Sequence, residues 1–149
     1  MPVGELCIRQ VVVAPRETSV LDAAKLMRQY NVGDIVVTEE FDGRRVPVGM
    51  VTDRDIVLEV MAQDLDATSL SVSDIMSSDL ITVREHEGVF QTIQLMRAQG
   101  GRRAPVVNDL GVLVGIVSVD DLVELLAEEL SELAKLISRE QKQEAETRR

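Results

Sequence analysis

The chain contains its own pattern twice, and this repeat restricts the fold more than any other feature of its 149 residues. Val3-Gly4-Glu5-Leu6-Cys7 is matched by Val72-Ser73-Asp74-Ile75-Met76, and the run from Ser19-Val20 to Leu26-Met27 by the run from Gly88-Val89 to Leu95-Met96. Both matches stand 69 positions apart, from Val3 to Val72 and from Met27 to Met96. Val36-Val37 then aligns with Val106-Val107 at 70, and Gly49-Met50-Val51-Thr52 with Gly115-Ile116-Val117-Ser118 at 66. The displacement changes in loop regions, where insertions are tolerated. Such a period means that one supersecondary unit is used twice.

Each unit reads β-α-β-β-α. A short β-rich run, residues 11–13 or 80–83, leads into Val20–Tyr30 or Val89–Gln99, where apolar residues three and four apart mark one face of a helix. Two β runs and a helix follow, at 35–38, 47–52 and 53–61 in the first unit and at 105–107, 113–118 and 119–126 in the second. The loops Glu39-Glu40-Phe41-Asp42-Gly43-Arg44 and Asn108-Asp109-Leu110-Gly111 carry hairpin-turn chemistry. This divides the chain into a first repeat (3–62), a polar linker (63–71), a second repeat (72–126) and a charged tail (127–149). Units of about 55 residues bury too little surface alone, so the expected α/β (α+β) fold is two repeats packed in pseudo-two-fold symmetry, plus a C-terminal helix. In that helix Leu126, Leu130, Leu133 and Ile137 form an a/d stripe, which either covers the module's own surface or meets a second subunit. Residues 138–149, past the stripe, are expected to fray.

Charge and composition exclude several classes. With 16 Lys and Arg against 26 Asp and Glu the net charge is −10, wrong for a general nucleic-acid or anionic-membrane binder. Aromatic residues are only 2%, so stacking platforms for single strands are missing. No apolar run approaches the roughly 20 residues of a membrane span, and the first residues lack the basic-then-apolar order of an export signal. A cytoplasmic location is expected. The lone Cys7 precludes an internal disulfide, and a single histidine, His86, leaves neither the usual zinc ligand sets nor a Ser-His-Asp constellation. Cys7 and Met27, Met50, Met61, Met76 and Met96 are expected in the core, and His86 in an exposed turn.

One motif recurs at the last strand-to-helix junction of each unit: Gly, two apolar residues, Thr or Ser, two variable residues, Asp. It is Gly49-Met50-Val51-Thr52-Asp53-Arg54-Asp55 in the first and Gly115-Ile116-Val117-Ser118-Val119-Asp120-Asp121 in the second. Free N–H groups at a helix start attract phosphate, a hydroxyl adds a hydrogen bond, and an aspartate three residues on presents acceptors to the paired hydroxyls of a ribose. The glycine permits close approach to the strand. The same Thr/Ser-x-x-Asp spacing is also a capping box that merely closes a helix. Recurrence in register favours the ligand-binding reading.

With this motif in both halves, and with Pro105-Val106-Val107 in the second, residues 3–126 resemble a tandem pair of CBS domains, the arrangement called a Bateman module. The resemblance implies a regulatory, non-catalytic module, often a flat homodimer, that signals to a protein partner. It implies an adenosyl ligand, AMP, ADP or ATP, or else NAD or S-adenosylmethionine, bound in two clefts between the repeats. Carried over, the first cleft uses Thr52 and Asp55, with Leu80 and Ile81 near the base and Arg103 or Arg54 near the phosphate. The second uses Ser118 and Asp121, with Val12, Thr18, Ala23 and Val36 around the base; Val51 and Val117 floor their own sites. At a displacement of 70, Gly33 stands where the second repeat has Arg103, so the second cleft is expected to lack that arginine. The alternative is an interaction module with degenerate, ligand-free clefts.

Overall fold

The computed structural model describes residues 1–148. The first half contains α1 (Val3–Leu6), β1 (Val13–Pro15), α2 (Val20–Tyr30), β2 (Asp34–Phe41), β3 (Arg44–Thr52) and α3 (Asp53–Ile56), which continues as a π-helical turn at Val57–Met61. The second contains α4 (Val72–Ile75), β4 (Val83–Arg84), α5 (Val89–Gln99), β5 (Arg103–Val107), β6 (Leu113–Ser118) and α6 (Val119–Thr147). Helices α2 and α5 occupy the residues that the apolar spacing predicts. Both end in a left-handed residue, Asn31 and Gly100, which closes the last turn. Each half forms its own three-stranded sheet, β1-β2-β3 or β4-β5-β6, with the first pair parallel and the second antiparallel.

The register of these ladders corrects the alignment of the repeats. Val37 lies opposite Gly49, and Val106 opposite Gly115; at the strand starts Asp34 lies opposite Thr52, and Arg103 opposite Ser118. The strands β2 and β5 therefore correspond at a displacement of 69, not 70. Arg103 has Asp34 as its counterpart, and Gly33 corresponds to Arg102. Both strands carry successive apolar residues, so side-chain type cannot distinguish a one-residue slip that backbone pairing resolves.

The cores are built by exchange. Val3 and Cys7 of the first sequence repeat are buried with Val83, Val89, Met96, Ala104, Val106, Val117 and Leu122 of the second. Val72, with Ile75 and Met76 against it, joins the core of Ala14, Ala23, Met27, Ile35, Val37 and Val51. Backbone bonds fasten each exchanged segment, with Val3 N–H donating to Glu87 O at 2.7 Å and Val72 N–H to Thr18 O at 2.8 Å. Both motif glycines face these segments. A Cβ at Gly49 would collide with Met76 Sδ, and one at Gly115 would lie 2.6 Å from Cys7 Sγ and 2.8 Å from the Ile8 carbonyl. The close approach these glycines permit is thus made by the other repeat's leading segment.

Four expectations are corrected. The chain beyond residue 137 does not fray, because α6 runs unbroken to Thr147 and Leu126 marks no boundary within it; Arg149 lies outside the described residues. Helix-forming Glu, Lys, Gln and Ala sustain it there. Nor does the stripe cover the module itself, since Leu130 and Ile137 are exposed. Met61 is not core: it ends the π-helical turn, which re-aims the apolar face, and is 67% exposed. The first strands also begin later than residues 11 and 80, at Val13 and Val83, where a parallel partner becomes available.

Candidate functional site

Where β3 meets α3, the chain turns from extended backbone into a helix, and the caps are complete. Thr52 N–H donates to Asp55 Oδ2 at 2.9 Å and Asp55 N–H to Thr52 Oγ1 at 3.1 Å. At the start of α6, Ser118 N–H donates to Asp121 Oδ2 at 3.3 Å and Asp121 N–H to Ser118 Oγ at 3.1 Å. The capping role read from the spacing is therefore realised at both junctions. It occupies only one carboxylate oxygen of each residue: among the described residues, no protein donor meets Asp55 Oδ1 or Asp121 Oδ1.

The first junction opens into a cavity of about 540 Å3, within the range of small-molecule sites. Thr52, Arg54 and Asp55 line it from the first repeat, and Leu80, Ile81 and Arg103 from the second. All six residues assigned to this cleft are thus brought together, although they are separated by up to 51 positions in sequence, from Thr52 to Arg103. Residues not singled out in the sequence join them, among them Asp53, Ser77, Asp79 and Gln99. They follow no spacing rule and could not be found before the fold was known. Arg102 also lines the cavity and pairs with Asp120 at 3.4 Å, both side chains well exposed.

The second junction faces a smaller cavity of about 260 Å3, lined by Val12, Ser118 and Asp121 together with Ile8, Gln10, Asn31, Asp34 and Arg103. The other residues assigned to the two clefts do not line either cavity. Ala23 and Val36 are fully buried, Ala23 in the core of the first sheet. Val51 and Val117 lie fully buried in opposite cores, each on the side of its strand that faces away from a cavity. Thr18 does not line the cavity; it lies in the turn before α2, where its carbonyl accepts from Val72 N–H at the start of α4.

Arg103 borders both cavities. Its Nε lies 3.1 Å from Asp34 Oδ1, so the counterpart residues of the two repeats form an ion pair with each other at the junction between the clefts. Asp34 is only 13% exposed, against 39% for Arg103. Burial pushes the Asp34 carboxyl above its ordinary range; Arg103 counteracts this, and nearby Asp53 reinforces it. The expectation that the second cleft lacks an arginine is thus corrected twice: Arg103 reaches it, and the counterpart residue is an acid rather than glycine.

A family model for the CBS domain matches residues 3–62 and again 72–128. The chain belongs to the CBS domain family. It is a tandem CBS protein, with the mixed α/β fold and C-terminal helix already described. It is 39% identical over 124 residues to an uncharacterized protein of Methanopyrus kandleri, covering 83% of this chain and 61% of that protein. It is 42% identical over 110 residues to the CBS domain-containing protein YhcV of Bacillus subtilis, covering 74% of each. Among solved structures, a CBS domain protein of Pyrobaculum aerophilum complexed with AMP superposes with a TM-score of 0.73 at 32% identity, over 81% of this chain and 89% of that one. No helix among the described residues is long and apolar enough to cross a membrane.

Proposed function

We propose that this CBS pair is a regulatory module that binds an adenine nucleotide, AMP, ADP or ATP, in the cleft between Asp55 and Arg103 and signals occupancy to a protein partner. The observation that carries this reading is the inter-repeat cavity itself, which joins the half-free Asp55 carboxylate, Leu80 and Ile81, and three arginines from both repeats. Asp55 Oδ1 would accept from ribose hydroxyls, Leu80 and Ile81 would sandwich the base, and Arg103, with Arg54 at the rim, would hold phosphate oxygens. The AMP complex of the Pyrobaculum relative supports the ligand class. Because the cleft's walls belong to different repeats, closure on a ligand changes the angle between them, and a partner reads that angle. No reaction is assigned. The module works in the cytoplasm as a homodimer, with the exposed stripe of α6 covered by a second copy. That stripe equally favours the second reading, a docking protein with unoccupied clefts.

A thermal-shift titration with AMP separates the two. Ligand at one hundred times its dissociation constant raises native stability by about 2.7 kcal/mol. Asp55→Ala is expected to lose most of this shift, and its own unliganded melting point, lowered by a cap loss of about 0.5–2 kcal/mol, is the reference. Equal shifts in wild type and variant would reduce Asp55 to a cap, and the absence of any shift with AMP, ADP or ATP would favour docking.

A further inference from the structure

The two strand-opening positions at the junction of the clefts are equivalent in backbone register and opposite in charge. Arg103 lies opposite Ser118 in its sheet, and Asp34 lies opposite Thr52 in the other. Each projects toward the cleft whose capping helix belongs to the other repeat: Arg103 lines the Asp55 cavity, and Asp34 the Asp121 cavity. We propose that Asp34 sets the ligand charge of the second cleft, excluding phosphate and admitting an adenosine-class ligand whose 5′ substituent is neutral or cationic. The proposal rests on the nucleotide-binding reading of the clefts and adds to it a division of labour between them.

Three further observations support this. Asp34 is only 13% exposed, lines the second cavity and not the first, and has Arg103 as its ion-pair partner. A phosphate brought against this carboxylate would meet a like charge in a poorly solvated place, whereas an ammonium group would complete its pairing. Arg103 meets Asp34 through Nε and also lines the first cavity, where its planar fork would match phosphate oxygens. The second cavity also has about half the volume of the first, about 260 against 540 Å3, which suits a nucleoside without its phosphate. Its other polar lining, Gln10, Asn31, Ser118 and Asp121, supplies amides, a hydroxyl and a second carboxylate, and Arg103 is the one cation.

Calorimetric titration of the full chain with AMP, adenosine and 5′-amino-5′-deoxyadenosine tests this in wild type, Asp34→Asn and Asp34→Glu. Wild type is expected to bind one AMP but two adenosines per chain, and to take the amine at the second site at least tenfold more tightly than AMP. Asp34→Asn should raise the AMP stoichiometry to two and abolish the preference for the amine, while Asp34→Glu should restore the exclusion of phosphate. A merely structural role for Asp34 would weaken binding in general and would not create a second AMP site. Two equal AMP sites in wild type would overturn the assignment of Asp34 alone, as would an Asp34→Asn protein with unchanged stoichiometry and amine preference. If wild type binds neither adenosine nor AMP, the nucleotide reading falls and this assignment falls with it.

Discussion

In the first cleft Thr52 and Asp55 share about 540 Å3 with three arginines, Arg54, Arg102 and Arg103, and with Asp53 and Asp79; in the second, Ser118 and Asp121 share about 260 Å3 with Asp34 as well as Arg103. The frames of the two are nearly the same: each has a three-stranded sheet, a capping box at the last strand-to-helix junction, and a motif glycine packed under the other repeat's leading segment. Among the differences in their linings is one equivalent register position, occupied by arginine in one repeat and aspartate in the other. A duplicated scaffold can therefore keep its fold while its two sites diverge in charge, because the strand-opening residue contributes to a cleft and not to a core. The buried positions have far less freedom, since interiors are close-packed.

The largest test of this difference is Arg103→Ala. Charge-assisted bonds from arginine to phosphate are worth about 1.5–3 kcal/mol, so AMP affinity at the first cleft should fall about ten- to hundredfold while adenosine affinity stays near wild type. Titration calorimetry with both ligands measures this. An equal loss for AMP and adenosine would mean that Arg103 shapes the cleft rather than holding phosphate, and no loss would move that role to Arg54 or to backbone N–H groups.

A second test compares the glycines under the exchanged segments. An added Cβ would lie 2.8 Å from the Ile8 carbonyl at Gly115 but 3.1 Å from the Ser77 carbonyl at Gly49, where the tighter contact is the flexible Met76 side chain. Gly115→Ala should destabilise by about 1–3 kcal/mol, the range for overpacking, and Gly49→Ala by less than about 1 kcal/mol, because Met76 can change rotamer. Chemical denaturation of both variants decides. A larger loss at Gly49 would show that the Met76 pocket is the more rigid of the two.

The smallest expected effect is on ligand binding when residues 127–149 are removed. Every residue lining either cleft precedes Leu126, so AMP affinity should not change, while the mass measured by light scattering should fall as the exposed stripe of α6 is lost. An unchanged mass would place the subunit contact on another face. An altered affinity would show that α6 communicates with the clefts through its first turn, where Ser118 and Asp121 sit.

The amino-acid sequence by itself determined the repeat, the order of elements, and the limits of α2, α5 and β6, which depend on signals close together along the chain, namely apolar spacing of three and four and Ser or Thr three residues before Asp. The six residues that meet in the first cleft were reached through the resemblance of those motifs to CBS domains, not through local spacing. Cys7 was legible as core and is buried there, though which core it enters was not. Only the tertiary structure decided that Val3 and Val72 change places between cores, that Ala23 and Val36 are fully buried and Thr18 holds the start of α4, and that Asp34 rather than Gly33 answers Arg103. Two alignments of β2 on β5 that differ by one residue look equally apolar. The choice between them is made by hydrogen bonds to partners such as Thr52 and Ser118, which lie on other strands and beyond the reach of any local pattern.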